Sequence, residues 1–504
     1  LSWIDNVIGF VSPEWGYRRE AWRQCLEEMK SYDAGDYSRL NSNWKVSNDS
    51  AEITDRYSRD SIRARTRDLE RNSDMMNSVI GAYKRNIVGG SYTLQARTQD
   101  PELNKQIEKY WKQWCKKKNC DVTGTQSFNQ ILRMAIERKK VDGGMLFHKV
   151  YTSDGVVPFK LQCLEVDELD TSQMVPKTQG NKVIGGIELN SFNKAVGYWI
   201  KQYSLDGFSL QTPIYVEAKD IIFYFTKKRP SQVREMSDMS PTITRIRDVN
   251  EFMTAVSVKE RIEACLSVFI KRQTPSGTIG RNVSMDNKYD YNNKTLVPGT
   301  IKYLNPGDDV VTVNPNGQAT DATTFVKLQQ RLIGAGQGIS YEATARDMSE
   351  TNYASARQGL IEDDLTYAED KELLQEIMDE IYETFVISAY LSGLISFKDF
   401  WNKKEDYMTH EWIQAPKRWI DPAKESNANK TALSTGQKTF QQISAENGRD
   451  WQEQVDDMVE VIEYGRKQGI ELGGVIFGKT AQELGNETGS YQGSGKQTEK
   501  KNKK

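Results

Sequence analysis

The stretch SPTITRIRDVNEFMTAVSVKERIEACLSVFIKR, residues 240–272, decides the architecture. Ser240 and Pro241 form a helix-start pair. The serine oxygen can cap orphan N–H groups, and proline is preset for the first helical position. Ile243, Ile246, Val249, Met253 and Val256 recur at helical spacing, and the apolar series runs on through Ile262, Leu266 and Phe269. Pro275 lies beyond the end. One helix over 241–272 would span about 48 Å at ~1.5 Å per residue, a length that must lean on neighbours.

Moving outward, the chain before this helix changes period. Helical pattern covers Arg18–Ser31, and 33–55 reads as loop. Helix returns over Asp55–Ile87, with a break near Asn72–Ser73 and a stop at Gly89-Gly90. Pro101–Lys118 and Ser127–Val141 are amphipathic, the second with Ile131, Leu132, Ala135 and Ile136 on one side. Short strands follow at Gly144–Tyr151, Val156–Val166, Lys182–Leu189, Ala195–Tyr203 and Asp220–Phe225. After the opening stretch, 273–320 is rich in Gly, Asn, Pro and Asp, with strand-like pieces at Thr300–Leu304 and Val310–Val313. Helix resumes at Asp321–Ala335, Tyr353–Gly393, Pro422–Thr435 and Asp450–Lys467, and 486–504 reads as a disordered tail. The class is α+β.

Composition excludes several functions. Over 504 residues, 68 Lys+Arg meet 70 Asp+Glu, so the chain is neither a polybasic nucleic-acid binder nor an acidic solvator. With His148 and His410 alone, a His-rich metal site is out of reach. Cys25, Cys115, Cys120, Cys163 and Cys265 follow no disulfide-framework spacing and read as reduced thiols. No apolar run is long enough to span a membrane, and the opening LSWIDNVIGFVSPEW lacks a signal peptide's basic n-region. Hydrophobic content of 37% with 10% aromatics suits a subunit whose exposed aromatics a partner covers.

Four segments carry charge or motif signals. Gly473–Thr480 matches the Walker A letters, but no strand, helix and later sheet frame it, so it reads as a Gly-rich exit. Arg59, Arg63 and Arg67 share a helix face within an arginine-rich stretch that includes Arg65 and Arg71. It suits phosphate contact or, given interleaved Asp60, Asp68 and Glu70, ion pairing; pairing is preferred. Lys109, Lys112 and Lys116–Lys118 beside Trp111 and Trp114 suit single-strand stacking or, preferably, a solvated face over buried tryptophans. Over 361–383, ten acids (Glu362, Asp363, Asp364, Glu369, Asp370, Glu372, Glu376, Asp379, Glu380, Glu383) meet Lys371 alone. No Lys or His constellation is visible around them, so a solvated face is preferred over catalysis or a metal cluster. A surface that repels nucleic acid is a further option. No catalytic residue, metal or cofactor is assigned.

Seven blocks, in order, resemble the lambda family of phage portal proteins: RARTRDLERNSDMMNSVIGAYKRNIVGG (63–90), ERKKVDGGMLF (137–147), FKLQCLEVDELDTS (159–172), FTKKRPSQVREMSDMSP (225–241), PGTIKYLNPGDDV (298–310), GAGQGISYEATARDMSETNYASAR (334–357) and APKRWIDPAKESNA (415–428). Gly144 stands where the family pattern carries an acid, and Thr344 and Ala345 depart slightly.

The resemblance implies a homo-dodecameric ring at the unique capsid vertex, a structural part without chemistry of its own. Double-stranded DNA passes through during packaging and ejection. Partners would be the terminase large subunit, the head–tail adaptor, and the major capsid and scaffold proteins, with no membrane. The ring would assemble in the host cytoplasm and reside in the virion. Mapped onto this sequence, 1–240 becomes the N-terminal region and wing, 241–272 the first stem helix, 273–320 the clip and 321–338 the second stem helix. Residues 339–352 become a tunnel loop, 353–420 a returning wing helix, and 421–485 the crown. Arg346, Asp347, Met348, Ser349, Glu350, Thr351 and Asn352 are the tunnel-loop candidates; Glu362, Asp363, Asp364 and Glu369 are acidic channel-helix candidates. The competing reading is a nucleotide-dependent DNA-processing enzyme using Lys479.

Overall fold

The structure, a computed structural model, describes residues 10, 12–28, 48–203, 207, 210–265, 269–272, 308–311, 322–349, 351–415 and 422–470. Most of the expected clip, the Gly473–Thr480 motif and the tail lie outside the described residues. Two compact units divide the chain, Leu1–Arg56 and Tyr57–Lys504. In the first, α1 (Pro13–Glu28) presents Trp15, Tyr17 and Trp22 to solvent.

Helix α2 (Ala51–Asn72) is followed after one residue by α3 (Asp74–Ile87). The break expected near Asn72–Ser73 is a cap: Ser73 leaves helical geometry and its side chain accepts the Met76 N–H. Strand β1 (Tyr92–Ala96) leads to α4 (Pro101–Trp114), capped by Asp100 with Pro101 at its first turn. On α4 the tryptophans face inward. Trp111 and Trp114 stack at 4.9 Å, and Trp114 donates its ring N–H to the Phe159 carbonyl at 2.8 Å. Lys109, Lys112 and Lys116–Lys118 face solvent. The one-turn α5 (Lys117–Cys120) precedes α6 (Phe128–Asp142), which ends at Gly143 in the left-handed region.

A three-stranded antiparallel sheet follows, β2 (Gly144–Val150) between β3 (Lys160–Leu164) and β8 (Ile221–Phe225). The second sheet orders β4 (Lys182–Ile184), β5 (Ile187–Leu189), β6 (Ala195–Tyr203) and β7 (Leu210–Glu217). Two expectations change here. The single strand over Lys182–Leu189 is a hairpin, because Gly185 and Gly186 both take positive φ. Strand β7 goes unseen in the sequence, because LQTPIYVE carries Pro213 and alternates poorly; it forms at the sheet edge, where proline is tolerated.

The opening stretch also changes. Helix α7 spans Ile243–Cys265, and Phe269–Arg272 is strand β9, paired antiparallel with β10 (Asp308–Val311). Ser240-Pro241 belongs to the preceding turn, where the N–H groups of Thr242 and Ile243 bond the Met239 carbonyl. The β-branched and aromatic FIKR segment finds a strand partner that a helical period does not reveal. Helix α8 (Ala322–Gln337) returns to the body, and the one-turn α9 (Tyr341–Ala345) leads to the long α10 (Tyr353–Leu391). After α11 (Lys404–Tyr407), strand β11 (His410–Gln414) pairs with β1, Tyr92 opposite Gln414, an association with no local sequence signal. Helices α12 (Pro422–Ser434), α13 (Phe440–Glu446) and α14 (Trp451–Lys467) close the described chain.

The main core collects residues of α3, α4, α6, β2, α7 and α10, among them Tyr83, Trp114, Phe147, Ile246 and Phe385. A smaller core around Ile187, Tyr198 and Ile200 lies between the two sheets. Mixed helix and sheet agrees with the α+β expectation. Among the described residues no helix is long and apolar enough to cross a membrane.

Candidate functional site

The feature that organises the molecule is the place where the chain leaves the body as α7 and returns as α8. The two helices run side by side, with Phe252 and Phe325 ring to ring at 4.5 Å. Met253, Val258, Leu328 and Leu332 on them remain exposed. Their base is held by a strap, residues 232–242. It crosses Gly143, where a Cβ would lie 2.5 Å from the Met236 carbonyl carbon. Only glycine admits the strap there.

Below the strap lies a buried quartet. Lys139 reaches Asp370 at 2.6 Å and Asp238 at 2.8 Å; Lys140 reaches Asp370 at 2.8 Å and Asp238 at 3.3 Å. Lys140 also lies 3.8 Å over the Tyr83 ring. Burial pushes the Lys140 ammonium down, but Asp238 and Asp370 outweigh it and hold it above an ordinary lysine. Burial likewise pushes the Asp238 carboxyl up, and Lys140, Lys139 and Lys228 pull it well below the usual range. Two cations and two anions balance in the quartet's interior, and the exposed Lys228 reaches Asp238 from outside at 3.3 Å. Gln337, the last residue of α8, donates its side-chain amide to the Asp238 carbonyl at 3.2 Å and to Thr242 at 3.0 Å. Its own carbonyl accepts the Tyr83 hydroxyl. The strap, the start of α7 and the end of α8 are thereby one hydrogen-bonded joint.

A second set of charges fastens the strap to α2. Arg63 meets Glu235 at 3.0 Å and Asp167 at 3.1 Å, and Arg59 donates to the Glu235 carbonyl at 2.9 Å. Arg67 meets Asp142 at 2.6 Å, Asp167 at 2.5 Å and Glu165 at 3.2 Å. Arg234, buried, grips the fully buried Glu235 at 2.7 Å and donates to the carbonyls of Gly185 and Val166. The preferred ion-pairing reading of the arginine face is therefore what the structure shows; Arg65 and Arg71 are exposed.

Beyond α8 the chain bends into the segment marked as a tunnel loop. Asp363 of α10, 3% exposed, accepts the Ser340 N–H at 2.6 Å and the Ser340 hydroxyl at 2.7 Å. Ser340 caps α9, and Ser78 of α3 donates to the Thr344 carbonyl at 2.7 Å. In the loop itself Arg346 takes a left-handed conformation and is exposed. Asp347 accepts Ser349 N–H and the Tyr341 hydroxyl, which hold its carboxyl below the usual range. Met348 and Ser349 are exposed, Glu350 lies outside the described residues, Thr351 donates to Glu342 at 3.1 Å, and Asn352 caps α10.

The four acidic candidates separate. Glu362 and Glu369 are exposed and Asp364 half-exposed, whereas Asp363 points inward. The preferred solvated-face reading of 361–383 holds for part of the helix only. Asp370 joins the quartet, Glu380 meets Lys149 at 2.6 Å, Glu383 meets Lys404, and Asp379 accepts from the Trp412 ring N–H at 2.6 Å and faces His410 at 3.0 Å. Cations from distant segments surround the acids, contrary to expectation. Lys139 and Lys140 carried a signal: they fall four residues after Ala135 and Ile136, on the inward stripe of α6. Lysines on such a stripe need buried carboxylates. Asp238, Glu235 and Gln337 had no such mark. His148 bonds Gln162 at 3.0 Å. Among the described residues, Cys115, Cys120 and Cys163 are free thiols. No group of three His, Cys, Asp or Glu side chains there converges as a metal site would.

A helix pair standing on a charge-locked base is a mechanical arrangement. A family model described as phage portal protein, lambda family, covers residues 37–370. The chain belongs to the lambda family of phage portal proteins. It is 24% identical over 450 residues to a probable portal protein of Halomonas phage phiHAP-1, covering 86% of each chain. It is 20% identical to the portal protein of Escherichia phage N15, covering 81% of this chain and 85% of that one. With portal protein B of Escherichia phage lambda it shares 19% over 434 residues, 77% of this chain and 81% of that one. Among solved structures, a chain in the virion of a native gene transfer agent particle and one in its neck each show 13% identity and a TM-score of 0.43. Each match covers 74% of this chain and 90% of that chain. Portal proteins of this family are structural components of the bacteriophage virion.

Proposed function

We propose that this portal protein is one subunit of a closed ring, a homo-dodecamer, at the unique capsid vertex. The ring conducts double-stranded DNA during packaging and ejection. The observation that carries the reading is the α7–α8 pair, side by side through Phe252 and Phe325 and locked at its base by Gln337, Thr242 and the strap. Helices arranged this way suit the stem expected over 241–272 and 321–338, with Ile243–Cys265 and Ala322–Gln337 as its helical parts and the clip in the chain between them. The exposed Met253, Val258, Leu328 and Leu332 supply apolar surface for neighbouring copies to cover. The clip would dock the terminase large subunit and then the head–tail adaptor. Residues 1–240 and 353–420 form the wing, against capsid and scaffold proteins, and 421–485 the crown. Residues 339–352 are the tunnel loop, exposing Arg346, Met348 and Ser349. The outward Glu362 and Glu369 keep phosphates from adhering.

Electron microscopy of the purified full chain tests the assembly. Rings with a central hole and twelve copies are expected. Monodisperse monomers at high concentration, with no rings on scaffold co-expression, overturn it. Removing Met348–Glu350 should impair packaging more than ring assembly; unchanged packaging removes the loop's assignment.

A further inference from the structure

Asp363 is an unusual carboxylate. It is nearly fully buried, Glu342 and Asp364 of like sign lie near it, and among the described residues both its hydrogen bonds come from one serine. Burial pushes its carboxyl up, and the Ser340 bonds only partly counter this. Asp370, two turns on along the same helix, meets Lys139 and Lys140 instead.

What the carboxylate holds is specific. Helix α9 has five residues, too few to persist alone. Ser340 stands at its start, accepting the Ala343 N–H at 3.2 Å while giving both its own donors to Asp363. Two residues earlier Gly338, at φ 70°, turns the chain from α8, and its carbonyl accepts the Thr366 hydroxyl of α10. Both bonds tie the entry of α9 to one turn of α10. From α9, in turn, come both clasps on the loop: Tyr341 to Asp347 at 3.1 Å, and Glu342 to Thr351 at 3.1 Å.

We propose that Asp363 is a positioning residue: through Ser340 it fixes α9, and through Tyr341 and Glu342 of α9 it sets where Arg346, Met348 and Ser349 are presented to DNA in the ring. The first half stands on contacts within the chain. The second rests on the reading that 346–352 faces the channel.

The test uses the full chain with Asp363→Ala, Asp363→Asn and Ser340→Ala. Hydrogen exchange comes first, on assembled protein whose copy number is checked by microscopy. Amides of 339–349 should exchange about tenfold faster in Asp363→Ala and Ser340→Ala, with α3 and α6 unchanged. Asp363→Asn keeps an acceptor for the Ser340 N–H and should fall between them and wild type, which a general loss of packing would not produce. Unchanged exchange at 339–349, or an equal rise across the chain, overturns the positioning role whatever the protein's function. DNA packaging into proheads carrying each variant comes second. A graded loss, Ala below Asn below wild type, with intact rings supports the full proposal. Loosened exchange with wild-type packaging overturns its DNA half and the tunnel-loop assignment together. Should Asp363→Ala not fold, Ser340→Ala and Asp363→Asn carry both arms.

Discussion

Helices α2 and α10 carry the most charged residues of the described helices, and they dispose of charge differently. On α2 the inward arginines 59, 63 and 67 form one stripe, and all three have partners on remote segments. On α10 the acids divide. Asp370, Asp379, Glu380 and Glu383 meet partners from elsewhere, Asp363 among the described residues bonds Ser340 alone, and Glu362 and Glu369 face solvent. A basic stripe that looked able to bind phosphate is a fastening. An acidic run that looked like a uniform solvated face is half fastening and half surface. Charge density along a helix thus says little until each side chain is assigned a direction and a partner.

The comparison can be broken most sharply at the quartet. Lys139→Met leaves Asp370 and Asp238 short of a cation in a buried site and should cost about 3–5 kcal/mol in urea unfolding. Adding Asp370→Leu should recover much of that loss, because an apolar pair needs no counter-charge. A loss within ~0.5 kcal/mol, the size of an ordinary surface change, would return Asp370 to the solvated acids. Next comes Arg67→Ala, which removes charge-assisted bonds to three carboxylates from a partly exposed site. About 2 kcal/mol is expected, less at high salt.

A pH measurement sharpens the contrast between paired and unpaired acids. Glu108 of α4 accepts the Ala96 N–H, but burial, with Asp450 and Glu453 nearby, pushes it up to about 7. Raised in the folded state, it binds protons that the unfolded chain releases. Its contribution therefore falls as pH rises from the ordinary glutamate range through about 7. Glu108→Gln should raise Tm at pH 8 and leave it nearly unchanged at pH 5. The reverse pattern would show that Glu108 is held as a stabilising anion. Smallest of all, Glu362→Gln with Glu369→Gln should shift stability by less than ~0.5 kcal/mol, since both are exposed. On the proposed ring reading, any effect should fall on how strongly DNA is retained as salt is lowered.

Much of this was legible in the sequence. The Ser73 break, the Gly89-Gly90 stop, the Pro101 helix start and the α10 span all follow from local backbone chemistry, and the ordered blocks pointed to the family. What escaped was non-local. Strand β11 supplies the partner of β1 from the far end of the chain, and FIKR pairs with DDVV across the intervening 273–307. Glu235 and Asp238 look like ordinary loop acids in VREMSDMS; the strap's passage over Gly143 buries Glu235 and brings Asp238 to Lys139 and Lys140.

By itself, then, the sequence determined most of the helices, several of the strands and the family they compose, while β1, β7, β9 and β11 came from the tertiary structure. What it determined follows from the period of apolar side chains and from capping groups within a few residues of each other. The tertiary structure alone decided which charges are fastenings and which are surface. A buried ion's stability depends on the counter-charge within about 4 Å. For Lys139, Arg63 and Asp370 that counter-charge comes from segments far away along the chain.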